Sequence, residues 1–186
     1  MTTVEAIKIF INAVEDSAIP YMIVGSFSSN LYGYVRSTQD LDLVVFLSEN
    51  SLAILAARLG DAYSIDPQTS FETATFSIRN IVEIKESGFK IELFHLKDDD
   101  HDQERFRRRV RREFNGLSAN FATAEDVIVM KLRWVLRIDR ERDRNDVKHV
   151  IAMQKDHLDW PYIETWCDKH GTRQLLEEIR QSVAGI

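Results

Sequence analysis

Tyr21-Met-Ile-Val-Gly25-Ser26-Phe-Ser-Ser-Asn-Leu-Tyr-Gly-Tyr-Val-Arg36-Ser-Thr38-Gln-Asp40-Leu-Asp42-Leu-Val-Val45 decides how the chain folds. An apolar run ends in Gly25-Ser26, and fifteen residues later two aspartates spaced i, i+2 open a second apolar run. Side chains alternate along a strand, so Asp40 and Asp42 project to one face while Leu41 and Leu43 project to the other. Two carboxylates on one face repel unless a cation sits between them. A hard dication such as magnesium, itself bound to a nucleoside triphosphate, suits that pair. Gly25 permits close backbone approach at the end of the first strand, and Ser26 offers a hydroxyl and an amide at a helix start, where anions bind well.

Gly25-Ser26 followed by Arg36-x-Thr38-x-Asp40-Leu-Asp42 resembles the signature of the nucleotidyltransferase fold in the DNA polymerase β superfamily, particularly its small bacterial abortive-infection and toxin-antitoxin members. The resemblance implies an α+β fold: a mixed β-sheet flanked by helices, with a C-terminal helical region. It also implies a third acidic residue on a later strand.

Length and composition fit that expectation. The 186 residues suffice for a real core, and 44% hydrophobic content is ordinary for a globular chain. No apolar run approaches a membrane span, and the opening Met1-Thr-Thr-Val-Glu-Ala lacks a basic region followed by an apolar segment, so no membrane partner and a cytoplasmic location are expected. A single cysteine, Cys167, excludes an internal disulfide and a multi-cysteine zinc site. The net charge of −6 argues against non-specific coating of nucleic acid. Charge is nevertheless segregated, with Asp98, Asp99, Asp100, Asp102 and Glu104 preceding Arg105, Arg107, Arg108, Arg109, Arg111 and Arg112. This stretch reads either as a solvated face or as a surface for RNA or nucleotide phosphate.

Periodicity predicts a helix over 3–16, a strand over 21–24, a helix over 26–33, a strand over 40–47 and a helix over 48–59 that stops at Gly60. A further short helix is expected over 67–74, then two strands over 78–84 and 89–96 joined by a turn. In the second of these strands Glu92 interrupts an apolar run. It reads as an exposed residue of an edge strand or, by the resemblance, as the third carboxylate, although the family pattern has aspartate there. Asn115-Gly116 predicts a hairpin between 110–114 and 117–121.

From residue 122 the pattern becomes helical, which divides the chain into a sheet-bearing domain, 1–121, and a C-terminal helical region, 122–186. Thr123-Ala-Glu-Asp126 opens a helix with an apolar stripe of Val127, Met130, Trp134, Val135 and Ile138, and Lys131 falls within it. Lys131 either snorkels to solvent or pairs with a buried acid or a triphosphate. A helix beginning near Glu141 carries Arg142-Asp143-Arg144-Asn145-Asp146, which is similar to the family's Arg-Lys-Asp-x-x-Asp segment. Asp143 and Asp146 either orient Lys131 or the nucleotide, or form a structural network between two helices. The tail predicts two more helices, and Cys167 near His170 lacks the third group that a thiol nucleophile requires.

The resemblance covers residues 20 to 153 and implies transfer of a nucleoside monophosphate from a triphosphate to an acceptor hydroxyl. Asp40, Asp42 and Glu92 would hold magnesium, Gly25 and Ser26 the triphosphate, and Lys131 with Arg36 would neutralise its charge. The acceptor would be an RNA such as a transfer RNA end, a protein hydroxyl or a small molecule. A cognate partner protein is also implied by the toxin-antitoxin likeness. The alternative is a nucleotide-binding module of the same fold without catalysis.

Overall fold

Thr2 and Glu5 start the chain's first helix by a reciprocal capping box, each side chain accepting from the other's backbone N–H at 3.2 and 2.8 Å. The computed structural model describes residues 2–73 and 76–184. In chain order these form α1 (Thr3–Asp16), β1 (Tyr21–Val24), α2 (Gly25–Tyr32), β2 (Asp40–Val45), α3 (Ser51–Leu59), β3 (Tyr63–Ile65), β4 (Ser70–Glu72), β5 (Ser77–Ile84), β6 (Phe89–His95), α4 (Asp100–Arg107), β7 (Val110–Phe114), β8 (Leu117–Phe121), α5 (Ala124–Arg137), α6 (Glu141–Gln154), α7 (Trp160–His170) and α8 (Arg173–Ala184).

The strands lie in the order β3-β5-β6-β2-β1-β8-β7, with β4 paired to β5. β2 runs parallel to β6 and β1 parallel to β8, whereas the remaining pairs are antiparallel, so the sheet is mixed and the fold is α+β. β1 and β2 supply two central strands, as the apolar runs over Tyr21–Val24 and residues 43–45 require of strands covered on both faces.

Each face has its own core. On one, Ile23, Leu41, Leu43, Ile91 and Leu93 pack under Phe10 and Ile11 of α1 and Leu55 of α3. On the other, Met22, Val24 and Val44 pack with Ile128 and Leu132 of α5, Val147 and Val150 of α6, Ile163 of α7 and Leu176 of α8. Helices from both sides of residue 122 therefore bury a sheet that the alternation of β1 and β2 already divides into two apolar sides.

Three local expectations need correction. Residues 70–72 form β4 where a short helix was expected over 67–74, of which Ala74 lies outside the described residues. Three residues pairing with Ser77–Arg79 leave too little chain for a helical turn. The acidic and arginine run contains a helix, α4, that sequence reading missed although its signals were present. Asp99 accepts from the Asp102 N–H as a cap, Asp100 and Asp102 fill the first turn, and Arg105 and Arg107 the last, each charge suiting the helix dipole. Finally, the helix expected from Ser48 begins at Ser51, because the Ser51 hydroxyl folds back on Ser48 instead. No helix among the described residues is long and apolar enough to cross a membrane.

Candidate functional site

Val24 pairs with Asp42 across the antiparallel β1–β2 ladder, so the residue after Val24 must pass directly beside the Asp42 side chain. That residue is Gly25, with φ of +61°. A Cβ built there would lie 2.8 Å from Asp42 Cγ and closer still to Oδ2. Only glycine meets both the left-handed backbone and the contact. Gly25→Ala is accordingly expected to cost roughly 2 kcal/mol or more in urea unfolding and to push the Asp42 carboxylate out of position. An alanine variant as stable as the parent would contradict this geometry.

Helix α2 starts at Gly25 without a side-chain cap, leaving its first amides open on the same side as Asp42. Buried Asn30, also on α2, clamps the following loop by accepting from the Arg36 N–H at 3.1 Å and donating to the Arg36 carbonyl at 2.7 Å. The Arg36 guanidinium is thereby delivered to Ser26 Oγ at 2.9 Å and, through two bonds of 3.1 and 2.9 Å, to Asp146.

Lys131 resolves in favour of pairing. It is 3% exposed, and its Nζ lies 2.8 Å from Asp143 Oδ1 and 2.7 Å from Asp146 Oδ2. Arg140 Nε lies 3.0 Å from the far oxygen of Asp143, an ion pair whose geometry makes no hydrogen bond. Burial pushes the Asp146 carboxyl up, but its bonds to Arg36 and Lys131 outweigh burial and hold it below its usual value.

Gly25, Ser26, Asp40, Asp42, Glu92 and Lys131 line one cleft of about 230 Å³ between the sheet face and α5. Arg36 stands behind Ser26 and opens onto a neighbouring groove with Tyr34 and His149. Asp40 accepts from Thr38 Oγ1 at 2.8 Å. Asp42 is pushed up to about 7, first by burial and then by the charges of Asp40 and Glu92, with Lys131 and Arg79 only partly offsetting them.

Glu92 sits beside Asp42 in the parallel β2–β6 register and on the same face. Its carboxylate, however, is bound by Arg79 Nη1 at 2.6 Å, and burial raises its pKa despite that partner. Among the described residues no three His, Cys, Asp or Glu side chains are gathered as a ready ion site. The donor set nevertheless fits a hard dication: carboxylate oxygens on one strand face, where Asp40 and Glu92 push the Asp42 carboxyl up by their charge. Asp40 and Asp42 provide the pair, and Glu92 is turned toward Arg79.

Several cleft residues escaped sequence reading: Arg79, Lys97 and Arg140, whereas Arg105, from the arginine run read as a solvated face or a phosphate surface, is buried against Asp102 and lines the cleft. Trp134 and Met130, assigned to an apolar stripe, face the cleft, while Ile128 and Leu132 do the core packing. The buried Cys167 thiol is pushed up by burial, and His170 pairs with His101 at 3.1 Å.

No protein-family model matches the sequence, and no curated protein matches it. Solved structures do. The solution structure of the antibiotic-resistance factor ANT(2'')-Ia superposes with a TM-score of 0.63 at 13% identity, covering 98% of this chain and 99% of that one. The crystal structure of ANT(2'')-Ia in complex with adenylyl-2''-tobramycin gives 0.64 at 13% identity over 94% and 99%. A nucleotidyltransferase candidate from H. pylori gives 0.53 at 14% identity over 96% and 80%. Likeness at such identities is a likeness of fold, and the chain has the nucleotidyltransferase fold.

Proposed function

We propose that this cleft transfers a nucleoside monophosphate from a nucleoside triphosphate to an acceptor hydroxyl, releasing pyrophosphate. One observation carries the reading: the Asp40–Asp42 pair, the uncapped start of α2 at Gly25-Ser26 and Lys131 line one cleft, and Asp146 ties that lysine to Arg36 behind Ser26. Open amides at a helix start and fixed cations suit a triphosphate. Asp40 and Asp42 would hold magnesium, which when bound neutralises phosphate charge and makes the acceptor hydroxyl more acidic. Asp146 fixes both Arg36 and Lys131, so neither cation has to be ordered at the moment of reaction. In this reading the region 1–121 contributes the acids and the helices of 122–186 the opposite wall, with ATP one of the candidate donors.

A small-molecule acceptor gains support from the similar structure that holds an adenylylated tobramycin. A transfer RNA end or a protein hydroxyl, with a cognate partner protein, is the alternative that the toxin-antitoxin likeness suggests. The test is a thermal-shift screen of the four nucleoside triphosphates with and without magnesium, followed by transfer of α-phosphate label to small-molecule, RNA and protein acceptors. At a hundredfold excess over Kd, a ligand specific to the folded state adds about 2.7 kcal/mol, or a Tm rise of roughly 5–11 °C. Stabilisation by at least one triphosphate with magnesium and label transfer are expected. The absence of any shift would sink the reading, and a shift without transfer to any acceptor would favour the non-catalytic module.

A further inference from the structure

Glu92 stands between two competitors. Its neighbour on one side is Asp42, level with it on β2, and on the other side β5 places Ile81 level with Glu92 and Arg79 two residues away, on the same face. Cross-strand neighbours at these spacings are within reach of long side chains. Glu92 has taken the guanidinium, at 2.6 Å, with both side chains only partly exposed, 24% for Arg79 and 16% for Glu92. Arg79 is not locked into the sheet by that bond. Its Nε is buried without a hydrogen-bond partner among the described residues, and the guanidinium lies 5.8 Å from the centre of the Phe94 ring. Three carboxylates therefore share one face, and the chain itself supplies a cation to the third.

The geometry points to Arg79 as a built-in counter-ion that holds Glu92 away from Asp40 and Asp42 until a dication enters, so that Glu92 reaches the ion only by exchanging partners. This rests on the reading of the cleft as a metal and nucleotide site, and it adds a residue that sets how tightly the cleft takes the ion. An aspartate at position 92 would be one methylene shorter toward Arg79, so the glutamate and the arginine make sense together. Charge balance drives the exchange. A dication held by Asp40 and Asp42 would offset their repulsion of Glu92, and Arg79 would then be free to face an anion in the cleft.

Mn²⁺ binding to the full chain, read by electron paramagnetic resonance of the free ion, tests this without any turnover. Arg79→Gln is expected to tighten Mn²⁺ about tenfold, which corresponds to about 1.4 kcal/mol of competing ion pair removed. In a Glu92→Gln background the same change is expected to give only the small gain that comes from removing the Arg79 field at Asp42. Equal affinity in Arg79→Gln and the parent would overturn the proposal. So would a gain as large without Glu92 as with it, because that gain would be only the field of a removed charge. Should Arg79→Gln not fold, Arg79→Lys carries the same cycle, with a smaller gain that again depends on Glu92. Asp42→Asn separates the two levels: unchanged Mn²⁺ affinity in that variant would defeat the metal-site reading itself, whatever Arg79 does.

Discussion

Asp42→Asn is expected to abolish nucleotidyl transfer and, in the same protein, to raise stability at pH 8. The activity loss should reach about a thousandfold or more, since one ligand acid accounts for several kcal/mol of charge stabilisation in such reactions. The stability gain follows from the Asp42 carboxyl being pushed up to about 7, chiefly by burial and then by Asp40 and Glu92. In the unfolded chain an aspartate titrates near ~3.9. Below about pH 4 both states hold the proton and the group contributes nothing. Between about 4 and 7 the folded protein retains a proton that the unfolded chain has lost, so wild-type stability falls as pH rises. Above 7 the full penalty applies. Three pH units correspond to roughly 4 kcal/mol, and about half of that is a realistic expectation for a group beside an open cleft. Asparagine removes the charge, so the variant should gain about 2 kcal/mol at pH 8 and nothing at pH 4. Urea melts at the two pH values measure the difference. A variant less stable than wild type at pH 8 would contradict the proposed electrostatics.

Lys131→Met is expected to act in the opposite sense, losing stability and transfer together. Methionine fits the aliphatic length of the lysine, but it leaves Asp143 and Asp146, 1% and 4% exposed, without their shared cation. Arg140 and Arg36 each keep one acid paired, which limits the damage. Removing one member of a buried ionic group typically costs 3–5 kcal/mol, and with those two partners left in place about 3 kcal/mol is expected. The contribution of Asp146 is present above its unfolded pKa of about 4 and is lost as pH falls through the lower folded value, so the deficit of the variant should shrink in acid. Adding Asp143→Asn to Lys131→Met should recover part of the loss. Full stability in Lys131→Met alone would mean that the network carries no folding energy.

The parts of the fold that depend on local pattern were readable from the chain. Gly25 at a strand end, Asp40-x-Asp42 opening the next, Asn115-Gly116 and the Thr123 cap each carry their geometry within a few residues, and each lies where expected. The parts that depend on neighbours were not. β3 and β4 have three residues each and exist only because β5 offers them an edge. Arg79 illustrates the same limit in the cleft. A lone arginine in one apolar strand and a lone glutamate in another are a complementary pair only once the two strands are known to be adjacent. Lys131 was legible as a conflict, a charge on an apolar stripe, but its solution lies on α6, twelve residues away in sequence. α4 was hidden by composition, because a run of like charges suggested solvent while its cap and dipole arrangement specified a helix.

The core beneath the cleft has a mechanical consequence. Met22, Val24 and Val44 of the sheet share one apolar cluster with Ile163 of α7 and Leu176 and Ile179 of α8. The wall that carries Lys131 therefore has no independent foundation. A methyl group trimmed from α8 is expected to loosen α6 and α7, against which α8 packs and which in turn hold α5. In the proposed function, grip on the nucleotide and resistance to unfolding would thus be one property of this molecule, felt at opposite ends.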